Sequence, residues 1–317
     1  MASADLLALL WTQTWQLAVV VLLVAIAVRC FAARRPHWAH AFWCVALLKA
    51  LTPPIIASPL ALFPSFDQPA PAVAPSLEPA GEWTTIPIDV SFAAAPREEA
   101  AVPAAQALPA EPPAVAWSWT DFAIALWWGG ASIVALVSFH RYRRALAEIC
   151  SDSPITAEEW QAAVDRWRSQ LGIRAPVRVR IVRGRFGPAV FGLFRPTIIL
   201  PAALVEGRSP NDLAAVLVHE LVHVRRRDAF WGALLSLASI VLWFHPLVWW
   251  LQRSLVAESE RCCDLETLAA TSCPPATYAR QLLEILDLKL RPPLAPAIPG
   301  IRSMDVTRTR LETVMKT

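Results

Sequence analysis

One uncharged stretch near the amino terminus limits what this chain can fold into. From Leu6 to Val28 there is no charged side chain, and Leu, Val, Ala and Ile dominate. At about 1.5 Å per residue, a helix of that length crosses a hydrocarbon core of about 30 Å. The basic residues follow this run instead of preceding it, the reverse of a cleavable signal, so it reads as a retained transmembrane helix. A second apolar run covers Trp38 to Phe63, interrupted by Lys49 and by Pro53–Pro54. Lys49 must then snorkel to the interface or face protein. A third covers Phe122 to Phe139, with Trp117, Trp119, Trp127 and Trp128 towards one end. Only 17% of the residues are charged, against about 25% in an average soluble domain. Fifteen Trp against two Tyr also suits interfacial indoles. The net charge of +3 gives no reason to expect direct nucleic-acid binding. The six Cys are scattered apart from Cys262–Cys263, which argues against a disulfide framework.

Basic residues set the orientation. Arg29, Arg34, Arg35 and His37 lie between the first two spans, and Arg141, Arg143 and Arg144 follow the third. Between spans two and three, Arg97 stands alone against Asp67, Glu78, Glu82, Asp89, Glu98, Glu99 and Glu111. Positive charge stays inside, so the amino terminus and the loop lie outside. The expected order is two transmembrane helices in 1–63, a Pro/Ala-rich acidic extracytoplasmic loop in 64–116 and a third span in 117–140. A cytoplasmic domain in 141–290 and a carboxy-terminal tail in 291–317 complete it.

In the cytoplasmic part, Trp160, Val164, Trp167 and Leu171 recur at helical spacing over 155–171, with Thr156 and Glu159 as a capping box. Val177–Val182 alternates as a half-buried strand. After a turn at 183–188, residues 189–194 and 197–200 read as two further strands, ended by Pro201. Ser209-Pro210-Asn211-Asp212 reads as a helix start. The helix that follows contains His219-Glu220-Leu221-Val222-His223. Imidazoles four apart share one helical face and can reach one metal ion, and Glu220 beside them can accept a proton from an attacking water.

Zinc needs a third protein ligand. Glu258, Glu260, Cys262 and Cys263 all lie downstream as candidates. Asp264, one turn from Glu260, and Asp228, at the end of the motif helix, are suited to orienting a ligand from behind. The two cysteines read as buried structural thiols. A continuous helix over 229–257 would be about 43 Å long and would carry Glu260 to the far side of the bilayer from His219. Pro246 breaks it into arms of roughly 24 and 18 Å, predicting a re-entrant helical hairpin that brings Glu260 back. His245, at the break, reads as an interfacial or hydrogen-bonded residue.

Three segments together resemble the BlaR/MecR-type membrane zinc metallopeptidases, peptidase family fifty-six among the gluzincins: Phe191–Pro201, His219–Asp228 and Trp243–Trp250. The resemblance implies an α-rich integral membrane protein: transmembrane helices plus a cytoplasmic α+β gluzincin (HExxH) protease domain with a small sheet. It implies His219, His223 and Glu260 as ligands of Zn2+, Glu220 as general base, and a strand at 189–194 beside the catalytic helix that pairs with substrate. It places the chain in a bacterial inner membrane, multi-pass, relaying an external signal by cleaving a cytoplasmic protein such as a BlaI/MecI-like repressor. No penicillin-binding sensor is expected, since none of Lys49, Lys289 and Lys316 has a Ser three residues before it. Arg195 and His245 are weak candidates for stabilising the oxyanion. Arg225, Arg226 and Arg227 put the end of the motif helix at the membrane surface, unlike an intramembrane site-two protease. The alternative is a non-proteolytic signal transducer or scaffold with a structural metal site, which would have no use for Glu220. A homo-oligomer is admitted by the pattern and not required by it.

Overall fold

The computed structural model describes residues 3–32, 34–52, 118–151, 158–183, 186–290 and 310. Helix α1, Ser3–Ala27, is continued by a π-helical turn, Val28–Ala32. Leu17, Val21 and Val24 face the protein, while Leu22, Leu23 and Ile26 stay exposed. An apolar face left uncovered along a whole helix is what a lipid-facing helix shows. Leu9–Ala32 is long and apolar enough to cross a membrane, and so is Trp119–Ala147 within α3, Trp119–Ser151. On α3, Leu126 and Leu136 are 69% and 68% exposed. This helix outruns the expected span 117–140, continuing past Arg141 to Ser151.

The second expected span is described in part. Pro36–Leu51 forms α2; the stretch from 53 to 63 and the whole 64–116 loop lie outside the described residues. Lys49 faces protein: Nζ donates to Gln13 Oε1 at 3.1 Å. Gln13 Nε2 in turn donates to the carbonyls of Lys49 and Ala50 at 3.1 and 3.0 Å. Those carbonyls end a helix and have no later N–H to receive.

The fourth apolar segment breaks where Pro246 predicts. Helix α7 covers Asp228–Val241 and α8 covers Pro246–Thr271, with Pro246 in the first turn and His245 extended. His245 is 3% exposed: Nδ1 accepts from the Leu247 N–H at 3.2 Å, and Nε2 donates to the Thr14 carbonyl at 3.1 Å. The break is therefore satisfied from within the protein. One apolar core joins Leu17 and Val21 of α1, Trp43 and Leu47 of α2, Leu235 of α7, and Leu251 and Leu255 of α8. Trp43 and Trp250 meet edge to face at 5.4 Å.

A second core belongs to the α+β part. Helix α4, Glu158–Gln170, lies against strands β1 (Arg178–Val182), β2 (Ala189–Phe191) and β3 (Thr197–Pro201). Thr156 of the expected capping box lies outside the described residues. The strand order is β1-β3-β2, with β1 parallel and β2 antiparallel to β3. The Gln161 amide covers the outer edge of β1, donating to the Val177 carbonyl and accepting from the Val179 N–H, each at 2.9 Å. Among the described residues no strand covers the outer edge of β2. The β2 strand stops three residues short of the expected 189–194, because Gly192 turns the chain at φ +97°. A Cβ there would lie 2.6 Å from the Arg195 carbonyl oxygen, so the turn demands glycine.

After the short helix α5, Ala202–Val205, the motif helix α6 covers Ala214–Arg226. It starts later than the sequence suggested. Asp212 Oδ2 accepts from both the N–H and the Oγ of Ser209, at 2.8 and 2.7 Å, so this pair closes a turn on itself. Leu217 and Leu221 enter the sheet core, while Val218 and Val222 meet Cys263 of α8. Arg227, in the left-handed region at φ 57°, makes the corner into α7. Helix α9 covers Pro275–Leu290.

Candidate metal centre

Three elements bring the site together. One turn of α6 sets His219 and His223 on the same face, the Arg227 corner swings Asp228 back beside His223, and α8 returns Glu260 to both. His219 Nε2 and His223 Nε2 lie 3.2 Å apart. Glu260 Oε2 is 3.6 Å from the former, and its Oε1 is 3.7 Å from the latter. The three residues expected as ligands thus lie together.

Hydrogen bonds behind the rings decide which nitrogens face inward. Tyr278 Oη donates to Asp264 Oδ1 at 2.7 Å, so at 2.9 Å it accepts from His219 Nδ1. His223 Nδ1 donates to Asp228 Oδ2 at 2.7 Å, and Ser259 Oγ donates to the same oxygen at 2.7 Å. Both imidazoles then carry their proton on Nδ1 and turn the Nε2 lone pair towards the other ring. The two Nε2 atoms, 3.2 Å apart, are placed to share one cation. Tetrahedral zinc with Zn–N of about 2.1 Å sets two nitrogens roughly 3.4 Å apart, so these residues fit a zinc ion. Burial works against the Glu260 carboxylate, but the Arg310 guanidinium and the two imidazoles outweigh it and hold its pKa well below the usual carboxylate range.

The rival ligands fit less well. Arg261 Nη1 holds both oxygens of Glu258 at 3.0 Å. Cys262 and Cys263 are fully buried, and burial pushes their thiols up to about 12 and about 11. Cys263 does form a second grouping with His223 and Asp228, but Asp228 Oδ2 is already engaged by His223 Nδ1 and Ser259 Oγ.

The site opens into a cavity of about 910 Å³, lined by Glu220, His219, His223, Glu260, Tyr278 and Arg310, with Val190, Leu193, Phe194, Phe230 and Leu282 as apolar walls. Glu220 is 7% exposed and reaches this space. Neither Arg195 nor His245 lines it: His245 spends both nitrogens on the α7–α8 break, and Arg195 sits in the β2–β3 turn. Two residues that do line it escaped the sequence reading. Tyr278 stands on an otherwise ordinary amphipathic helix, α9, whose spacing does not single it out. Arg310 belongs to the expected tail, and nothing local marks it.

The Tyr278 hydroxyl is expected to matter without touching the ion. Tyr278→Phe keeps the ring in its buried place but cuts the link from Asp264 to His219. Zinc affinity, measured by chelator competition, should fall by about 10–100-fold with the fold intact; an unchanged affinity would remove the hydroxyl from the site.

The family described as BlaR1 peptidase M56 matches residues 8–300. Regulatory protein BlaR1 of Bacillus licheniformis is 42% identical over 81 residues, covering 26% of this chain and 13% of that protein. The methicillin resistance mecR1 proteins of Staphylococcus aureus and Staphylococcus epidermidis are each 30% identical over 81 residues, covering 26% of this chain and 14% of theirs. The matched segment thus spans about one seventh of these relatives.

Proposed function

Since the chain belongs to the BlaR1 peptidase M56 family, we propose that it is a membrane-embedded zinc metalloendopeptidase that relays a signal by cleaving a cytoplasmic protein, such as a BlaI/MecI-like repressor. The observation that carries this reading is the convergence of two Nε2 lone pairs and the Glu260 carboxylate at one wall of a cavity that Glu220 also lines. His219, His223 and Glu260 hold the ion. Asp228 orients His223 directly, and Asp264 orients His219 through Tyr278. When bound, zinc supplies an electrophile that polarises the scissile carbonyl and acidifies water. Glu220 takes the proton of the attacking water and hands it to the leaving amine. The outer edge of β2, which no strand among the described residues covers, lines the same cavity through Ala189 and Val190. It receives the substrate as an added strand, fixing the scissile bond above the metal. Side chains next to that bond enter the apolar walls at Leu193, Phe194 and Phe230.

In this reading α1, the second span and α3 cross the bilayer, and the break between α7 and α8 dips into it. The amino terminus and the 64–116 loop face outside and the metal centre faces the cytoplasm, in keeping with the positive-inside rule.

Counting bound zinc tests the ligand set. The chain purified in detergent should carry about one zinc per molecule, and Glu260→Gln, which keeps the shape and removes the charge, should lose most of it. Full zinc in that variant would end the Glu260 assignment and with it the role of the returning α8.

A further inference from the structure

Arg310 lies 46 residues beyond Asp264 in sequence, yet its guanidinium sits inside the centre. Nε and Nη2 fork onto the two oxygens of Asp264 at 3.0 and 2.8 Å. Nη1 donates to Glu260 Oε2 at 2.7 Å, and Nη2 reaches His219 Nε2 at 3.4 Å. Arg310 is 8% exposed, so this is a desolvated charge held by charge-assisted bonds.

Two of its partners are the atoms a metal ion needs. The lone pair of His219 Nε2 accepts either an N–H or an ion, and Glu260 Oε2 faces the same choice. A guanidinium has no lone pair to offer a cation, and two positive charges this close repel strongly where little water screens them. Asp264 is different, because the reading above leaves its carboxylate outside the coordination shell. It therefore provides a seat for the guanidinium that a metal ion does not contest, while the contacts to Glu260 and His219 are contested.

We propose that Arg310 is an internal competitor for the metal site, so that its seating on Glu260 and His219 and the binding of a divalent ion exclude each other. The inference rests on the zinc reading above. Coupling of this kind is reciprocal: whatever factor the seated guanidinium removes from zinc affinity, zinc removes from the seating of Arg310. The carboxy-terminal region thereby becomes a reporter of metal loading.

The test uses the full chain in detergent with zinc alone as the probe. Chelator competition should show Arg310→Ala binding zinc at least fivefold tighter than wild type. Arg310→Lys, which keeps one charge and loses the fork, should fall between them and guards against a variant that fails to fold. The reciprocal arm follows tryptic cleavage after Arg310 by mass spectrometry. Zinc should speed that cut in the wild type and have no effect in Glu260→Gln. Equal or weaker zinc binding in a folded Arg310→Ala, or a cut rate that ignores zinc in the wild type, overturns the competition and leaves Arg310 as a fixed partner of the two carboxylates. If Glu260→Gln binds zinc like the wild type, it is the ligand assignment itself that has failed.

Discussion

Glu220→Gln is expected to slow peptide-bond cleavage by about 10²–10⁴-fold while the chain keeps its zinc. The carboxylate lines the cavity with only 7% of the residue exposed, and the three metal-facing residues make their contacts without it. Glutamine preserves its volume and removes its basicity, so the ability to accept the water proton is lost and little else. The measurement is turnover of a quenched peptide library beside bound zinc per chain. Cleavage at the wild-type rate would remove Glu220 from the chemistry. Zinc lost together with cleavage would mean that the carboxylate serves the metal site instead.

Two adjacent glycines of α3 should respond differently to alanine. At Gly130 an ideal Cβ would stand 2.2 Å from the Trp243 ring, whereas at Gly129 it meets nothing within 4 Å. Trp243 has little freedom to retreat: its Nε1 donates to the Trp127 carbonyl at 3.2 Å, and its own carbonyl accepts from Trp249 Nε1 at 3.0 Å. Trp127 Nε1 in turn donates to the Val241 carbonyl at 3.0 Å. Gly130→Ala should therefore destabilise by about 1–3 kcal/mol, the usual range for overpacking. Gly129→Ala should be neutral or stabilising by up to about 1 kcal/mol, from helix propensity. Thermal unfolding in detergent compares them, and equal shifts would show that α3 does not rest on Trp243.

How much of this was legible in the chain depended on whether the cause was local. The pair His219–His223 declares itself, because four residues make one helical turn whatever surrounds it. Glu260 stood beside Glu258, Cys262 and Cys263 until the family resemblance singled it out; what the residues themselves predicted was the break at Pro246, since a straight helix would have carried that whole stretch away. Lys49 announced that it needed protein or an interface, and Gln13 supplies the former. Ser209 and Asp212 misled, since the same two side chains can cap a helix or close a turn, and only what lies beneath Leu213 decides between them. The strand at 189–194 was too long because Gly192 looked like a strand residue until the Arg195 carbonyl was seen beside it. Tyr278 and Arg310 could not be reached at all. Their roles come from packing against α6 and α8 across stretches of chain in which no spacing rule holds.

Helix α8 runs unbroken from Pro246 to Thr271, roughly 39 Å. One end is wedged among α1, α2 and α7 through Trp250, Leu251 and Leu255, and further along the same rod stands Glu260. A straight rod delivers a push at one point to every other point. Slippage of one residue's rise, about 1.5 Å, in the packed end would shift Glu260 by a comparable distance against the two imidazoles, which lie 3.6 and 3.7 Å from its oxygens. One unbroken helix thus couples the position of the apolar bundle to the position of a carboxylate at the candidate metal centre.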